Sequence, residues 1–266
     1  MTGLFERDGA LLVPTDHARG PWRRDTLHGG AVAALLAGAI DVPGRTPVRV
    51  TVDLLAAVPA KPLTLHVTEP AGGRRVARQS ITLLDGDTPV ASAQCVAVRR
   101  STLDLPDGVA DRTSPFDGIP APDLARPRQY VRDAIGWDCF DGTAIAVRNL
   151  RSDALGDRTY GMWISLLVPV VAGEPTPPIA QVAAAADYGS TATGNLLSFD
   201  RWSFMNTELS LHLSREPVGP WVGVVSSGMI QPVGCGLAMA ALYDRSGPLG
   251  RSAQALVVEE RARVVG

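Results

Sequence analysis

The chain has 266 residues, 45% of them hydrophobic and 20% charged, with a formal net charge of −2. That length admits one large domain or two of ordinary size with well-buried cores, and the near-neutral balance excludes nucleic acid and an anionic membrane as expected partners. Cys95, Cys139 and Cys235 are odd in number and lack any Cys-x-x-Cys spacing, which speaks against a disulfide framework or a zinc site and for a reducing cytoplasm.

Residues 1–8 carry no basic-then-apolar signal pattern, so a soluble cytoplasmic protein is expected. Residues 4–13 read as a strand or hairpin, followed by a polar stretch over 16–26. The run Leu27-His28-Gly29-Gly30-Ala31-Val32-Ala33-Ala34-Leu35-Leu36-Ala37-Gly38-Ala39-Ile40 is apolar on every side. A helix without a polar face has to be surrounded by protein, and its apolar stretch is too short to cross a bilayer. Pro43 and Gly44 end it. Val48, Val50, Val52 and Leu54 then alternate with polar residues at the strand period, and further strands are predicted over 63–68, 74–84 and 90–99.

Residues 101–135 are rich in Pro, Asp and Gly and form the expected linker between domains at 1–100 and 136–266. The second half predicts strands over 143–150 and 162–171. A small-residue helix follows, with Thr176 as N-cap and Pro177 at its first position, ending over 189–195. Strands over 207–213, 221–226, 236–243 and 252–259 complete it.

The two halves share a sentence. Leu84-Asp85-Gly86-Asp87-Thr88-Pro89, leading to Ser92-Ala93-Gln94, returns as Tyr243-Asp244-Arg245-Ser246-Gly247-Pro248, leading to Ser252-Ala253-Gln254. Aligning both Ser-Ala-Gln triplets requires one extra residue between Pro248 and Ser252, which a hairpin edge tolerates. A long period present only twice implies duplicated domains about a pseudo-twofold axis, not a solenoid. A buried helix enclosed by a curled antiparallel sheet, given twice, is the layout of a double hot-dog fold, in the α+β class.

The chain contains no phosphate-binding Gly-rich loop, no His-Glu-x-x-His and no Gly-x-Ser-x-Gly. Three groups could carry chemistry. His28-Gly29-Gly30 leave amide groups open at a helix start, suited to a developing oxyanion, although glycine there also permits tight packing. Glu208 shares a strand face with Asn206, Ser210 and His212 and could orient or deprotonate water, or stand as a solvated residue paired with Arg215. Gln254 could hold a water, or serve a structural role together with its repeat partner Gln94.

The segment from His28-Gly29-Gly30 to Leu36, the strand Asn206-Thr207-Glu208-Leu209-Ser210-Leu211-His212-Leu213, and Gly236-Leu237-Ala238 with Gly250-Arg251-Ser252-Ala253-Gln254 resemble the double hot-dog acyl-CoA thioesterases of the type II class. They are most similar to the actinobacterial thioesterase-like branch. The resemblance covers the chain apart from the linker. It implies hydrolysis of acyl-CoA, or a related acyl thioester, to a free acid and a thiol, with no metal and no cofactor. In that family an Asp, a Thr or Ser, and a Gln orient the water. Counting back from Arg215-Glu216-Pro217 gives Glu208 the acid's place, and Gln254 the amide's. Ser227 and Gln231 lie near the third place, and Gln231 is taken for it. An acyl-CoA-binding or interaction protein without catalysis is the alternative. A hot-dog hydratase would need His28 or His212 as its catalytic histidine. Self-association, common among relatives, is left open.

Overall fold

The computed structural model describes residues 2–109, 127, 129–149, 159–191, 196–198 and 201–261. Most of the predicted linker, 101–135, lies outside the described residues; its end forms a helix, α2 (Gln129–Ile135). The first half runs β1 (Phe5–Asp8), β2 (Leu11–Pro14), α1 (Gly29–Gly38), β3 (Arg45–Leu54), β4 (Leu63–Val67), a short β5 (Ala71–Gly72), β6 (Val76–Asp85) and β7 (Thr88–Arg99). After α2 the second half has a π-helical turn (Phe140–Ala144), β8 (Ile145–Asn149), β9 (Thr159–Leu166) and α3 (Pro178–Ala186). It continues through β10 (Trp202–Asn206), β11 (Glu208–Leu213), β12 (Val222–Gln231), β13 (Cys235–Asp244) and β14 (Gly247–Glu260).

The strands form one antiparallel sheet in the order β1-β2-β4-β6-β7-β3-β11-β14-β13-β12-β9-β8. The two halves meet where β3 pairs with β11, Val52 opposite Leu209 and Val50 opposite Leu211. Inside the curl, α1 packs against α3. Residues 30–37 of α1 and 179–186 of α3 are all buried, as helices without a polar face must be. The helices run antiparallel. A Cβ on Gly29 would meet Asp187, just past the end of α3, while one on Gly38 would meet Ala180 and Pro177 at its start. Each helix start therefore abuts the other's end, giving two pseudo-equivalent junctions, and the fold is the double hot-dog.

Three local readings are corrected. Helix α3 begins at Pro178 with Pro177 in the N-cap place and no side-chain cap, because the Thr176 hydroxyl accepts from Val170 N–H instead. It ends at Ala186 and tightens into a 3-10 turn over Asp187–Ser190. The third correction concerns the repeat. In one hairpin Asp85 pairs with Thr88 and Leu83 with Ala91; in the other Asp244 pairs with Gly247 and Leu242 with Gly250. Gly250 thus stands where Ala91 does, no residue is inserted, and the structural partner of Gln254 is Cys95. A one-residue slip reverses every side chain. Gln94 is exposed and accepts from the Ser80 hydroxyl at 2.9 Å, whereas Gln254 is 1% exposed and faces inward.

A second one-residue irregularity lies between β10 and β11. Asn206 pairs with Leu256 and Ser210 with Ala253, so four steps on one side face three on β14. This bulge at Thr207 changes which side chains point inward. Phe204 faces the interior before it and Leu209, Leu211 and Leu213 after it. Asn206 and Glu208, expected on one face, consequently lie on opposite ones.

Candidate active site

The junction between the start of α1 and the end of α3 gathers polar groups in an otherwise apolar core. His28 is the N-cap of α1, and its Nδ1 accepts the Gly30 N–H at 3.0 Å. That bond leaves Nε2 to carry the ring proton, 3.2 Å from Asp141 Oδ2. Asp141 sits on the π-helical turn, a form that often marks functional positions, and the Tyr188 hydroxyl donates to its Oδ1 at 2.6 Å. The imidazole also stacks on Phe140 and Tyr188, with ring centroids 4.7 and 5.7 Å away. Second-half residues thus fix the ring that caps the first-half helix.

Asp187 is the acid at this junction. It is 7% exposed, and its Oδ2 lies 3.4 Å from His28 Nδ1. Asn206 Nδ2 donates to its Oδ1 at 2.6 Å, and Gln254 Nε2 donates to its backbone carbonyl at 3.1 Å. Burial raises its carboxyl above the ordinary range against the lowering influence of His28, the Asn206 amide and the Gly30 N–H. Gln254 Oε1 is buried without a partner among the described residues and lies against Gly189. Glycine at 29 and 30 is what lets the helix approach: a Cβ on Gly29 would stand 2.9 Å from Asp187 Oδ1, and one on Gly30 3.2 Å from Oδ2.

Of the residues singled out in the sequence, the structure brings His28, Gly29, Gly30 and Gln254 together here and leaves two elsewhere. Glu208 lies on the other face of β11 from Leu209, accepting from Ala255 N–H at 2.9 Å and from the Ser210 hydroxyl at 2.8 Å. These bonds pin it at the bulge. Gln231 is exposed at the β12–β13 turn, where its carbonyl accepts from Gly234 N–H. Asp187, Asn206, Asp141 and Tyr188 complete the site, and none of them stands in a motif that marks it in the sequence. Asp187-Tyr188 closing a helix that is apolar apart from Gln181 was still a usable signal, since a charge there must enter the core or cap the helix; Asn206 needed the bulge. The cysteines take no part: Cys95 is buried, which pushes its thiol up to about 11, and Cys235 is exposed on β13.

A buried carboxylate beside the positive end of a helix, with the Gly30 N–H taken by His28, is equipment suited to directing water at an acyl carbonyl. Family comparison bears on which acyl compounds. The model of the acyl-CoA thioesterase N-terminal domain matches residues 18–98, and that of the acyl-CoA thioesterase C-terminal domain matches residues 101–258. No curated protein sequence matches the chain. Among solved structures, a Thermobifida fusca protein assigned to thioesterase II superposes with a TM-score of 0.70 at 18% identity, covering 96% of this chain and 95% of that one. A hot-dog protein of Alicyclobacillus acidocaldarius gives 0.65 at 17%, covering 98% and 96%. The TesB protein of Mycobacterium avium subspecies paratuberculosis gives 0.62 at 16%, covering 96% and 95%. At such identities the superpositions speak for the fold alone, while the family models span both halves: the chain belongs to the acyl-CoA thioesterase family, as a thioester hydrolase of double hot-dog build.

Proposed function

We propose that the protein hydrolyses acyl-CoA at the α1–α3 junction, with Asp187 as general base, Asn206 and Gln254 as the amides that orient the carboxylate and the water, and the α1 start as the oxyanion site. The observation that carries this reading is the Asp187 carboxylate, bound by Asn206 at 2.6 Å and set directly against Gly29 and Gly30. Water held between Asp187 and Gln254 Oε1 gives its proton to the carboxylate as its oxygen bonds to the thioester carbon. The carbonyl oxygen takes up the negative charge, facing Gly29 N–H and the positive end of the helix. Collapse breaks the C–S bond, and the thiolate leaves with the electron pair and takes the proton. His28 keeps the Gly30 amide in register while Asp141 and Tyr188 hold the ring, so it acts as a positioning residue. Glu208 has its backbone and hydroxyl partners already and takes no step.

The test is thiol release from short, medium and long acyl-CoA by purified wild type, Gln254→Ala and Glu208→Ala. Turnover on at least one chain length is expected, lowered about 100-fold in Gln254→Ala and within about threefold of wild type in Glu208→Ala. A folded Glu208→Ala protein without activity would return the acid's role to that residue, and tight acyl-CoA binding without turnover would identify a binding protein.

Gly29→Ala gives a geometric check. The new methyl group forces the Asp187 carboxylate away, and a displacement on the order of 1 Å costs roughly 100-fold in rate. The variant is expected to lose kcat with little change in KM. An unaltered kcat would remove Gly29 from the site.

A further inference from the structure

The opposite junction, where the start of α3 meets the end of α1, has lost the equipment for hydrolysis and holds a cleft instead. Its helix start is Pro177-Pro178, which has no side-chain cap and no N–H at either proline, and Gly38 stands at the end of the partner helix. No acid takes the place that Asp187 has at the other end. The cleft at this junction has a cavity volume of about 230 Å³. The apolar part of its walls includes Ile40, Val42, Pro47, Pro178, Ile179 and Leu213. Three arginines line it, and two are committed. Arg215 binds Asp244 through two nitrogens, at 2.6 and 2.7 Å, and Arg100 pairs with Glu216. Arg45 is different. Its Nε is buried without a partner among the described residues, and its other nitrogens reach only the Pro43 and Gly73 carbonyls at 3.3 and 3.4 Å. The remaining acid of the lining, Asp41, is exposed to water.

We propose that this cleft binds a carboxylate bearing an apolar chain, the Arg45 guanidinium taking the carboxylate and the proline- and isoleucine-rich walls the chain. A guanidinium whose terminal nitrogens hold only two long carbonyl contacts suits the two oxygens of a carboxylate. The apolar side chains beside Arg45, among them Val42, Pro47, Ile179 and Leu213, suit a hydrocarbon chain. Such a ligand is the acid that thioester hydrolysis releases, which makes the inactive junction a place for product to bind; that link rests on the proposed function, but the binding does not.

Isothermal titration of the intact protein with octanoate, octanol, acetate and inorganic phosphate tests it, using wild type, Arg45→Gln, Arg45→Lys and Asp187→Asn. Octanoate is expected to bind wild type and Asp187→Asn alike, at least about tenfold more tightly than octanol or acetate. It is expected to bind Arg45→Gln about tenfold or more weakly, with partial recovery in Arg45→Lys. A single cooperative melting transition in each variant, no lower than that of wild type by more than a few degrees, establishes that the variants fold. The proposal is overturned if octanoate does not bind, if Arg45→Gln binds it as wild type does, or if Asp187→Asn alone abolishes binding. It is equally overturned if phosphate displaces octanoate at equal concentration, which would assign the cleft to a phosphate-bearing ligand. Loss of thioester hydrolysis with retained octanoate binding separates failure of the proposed function from failure of this inference.

Discussion

Asp187→Asn is expected to lower kcat/KM for acyl-CoA by about 1000-fold and, in the same protein, to raise the melting temperature at neutral pH. The second half follows from burial. The carboxyl of Asp187 is raised because the core disfavours its charged form. Below the ordinary carboxylate range the group is protonated in the folded and unfolded chain alike, and it costs nothing. As pH rises, the unfolded chain ionises first, so stability falls until the raised folded pKa is passed and stays lower above it. Asparagine keeps the shape and cannot ionise. The melting-temperature gap between variant and wild type should therefore open as pH rises from the ordinary carboxylate range. The acid limb of the wild-type kcat/KM profile should lie above the usual aspartate range for the same reason. A variant with wild-type turnover and no gap at any pH would remove Asp187 from both roles.

The largest loss of stability is expected from Asp244→Ala. This side chain has no solvent exposure and accepts from two nitrogens of Arg215, from Val218 N–H and from Ser246 N–H. Burial pushes its carboxyl up, but Arg215 and the two amides outweigh that, and the net pKa is lowered. Its contribution is thus fully present above the ordinary carboxylate range and is lost as pH falls through the depressed folded value. Removing one partner of a buried pair leaves the other uncompensated, at a cost of about 3 kcal/mol. Denaturant melts should show that loss at pH 7 and a flatter acid limb in the variant. The corresponding residue of the first half, Asp85, makes only a partly exposed pair with Lys61 at 2.8 Å; Asp85→Ala serves as the control, with a cost below about 1 kcal/mol. Equal costs at the two positions would contradict this assignment.

The architecture was legible because its signals are periodic. An apolar run at 31–40, alternating strands, and hairpins opening on Asp85 and Asp244 require little tertiary information. The junction was legible only in kind. An acid of the second half does meet the glycine-opened start of the first helix, but it comes from the end of α3 and not from β11. Two single-residue matters hid it. The bulge at Thr207 sends Asn206 inward and Glu208 outward, and strand alternation assumes that no bulge intervenes. The Ser-Ala-Gln triplets match in letters yet lie one residue apart in register, so Gln254 seemed to share a role with Gln94 that the sheet denies it. Asp141 and Tyr188 reach His28 through distant contacts that no spacing in the chain encodes.

The pairing of β3 with β11 bears on ancestry and on severing the chain. Either half by itself would show water a bare strand edge and a helix of almost wholly oil-like side chains, both shaped to receive another half. A lone ancestor of one half's length had reason to pair with its own copy. Fusing the two then freed each copy to change by itself, so that one crossing could keep an acid while its mirror image gave it up.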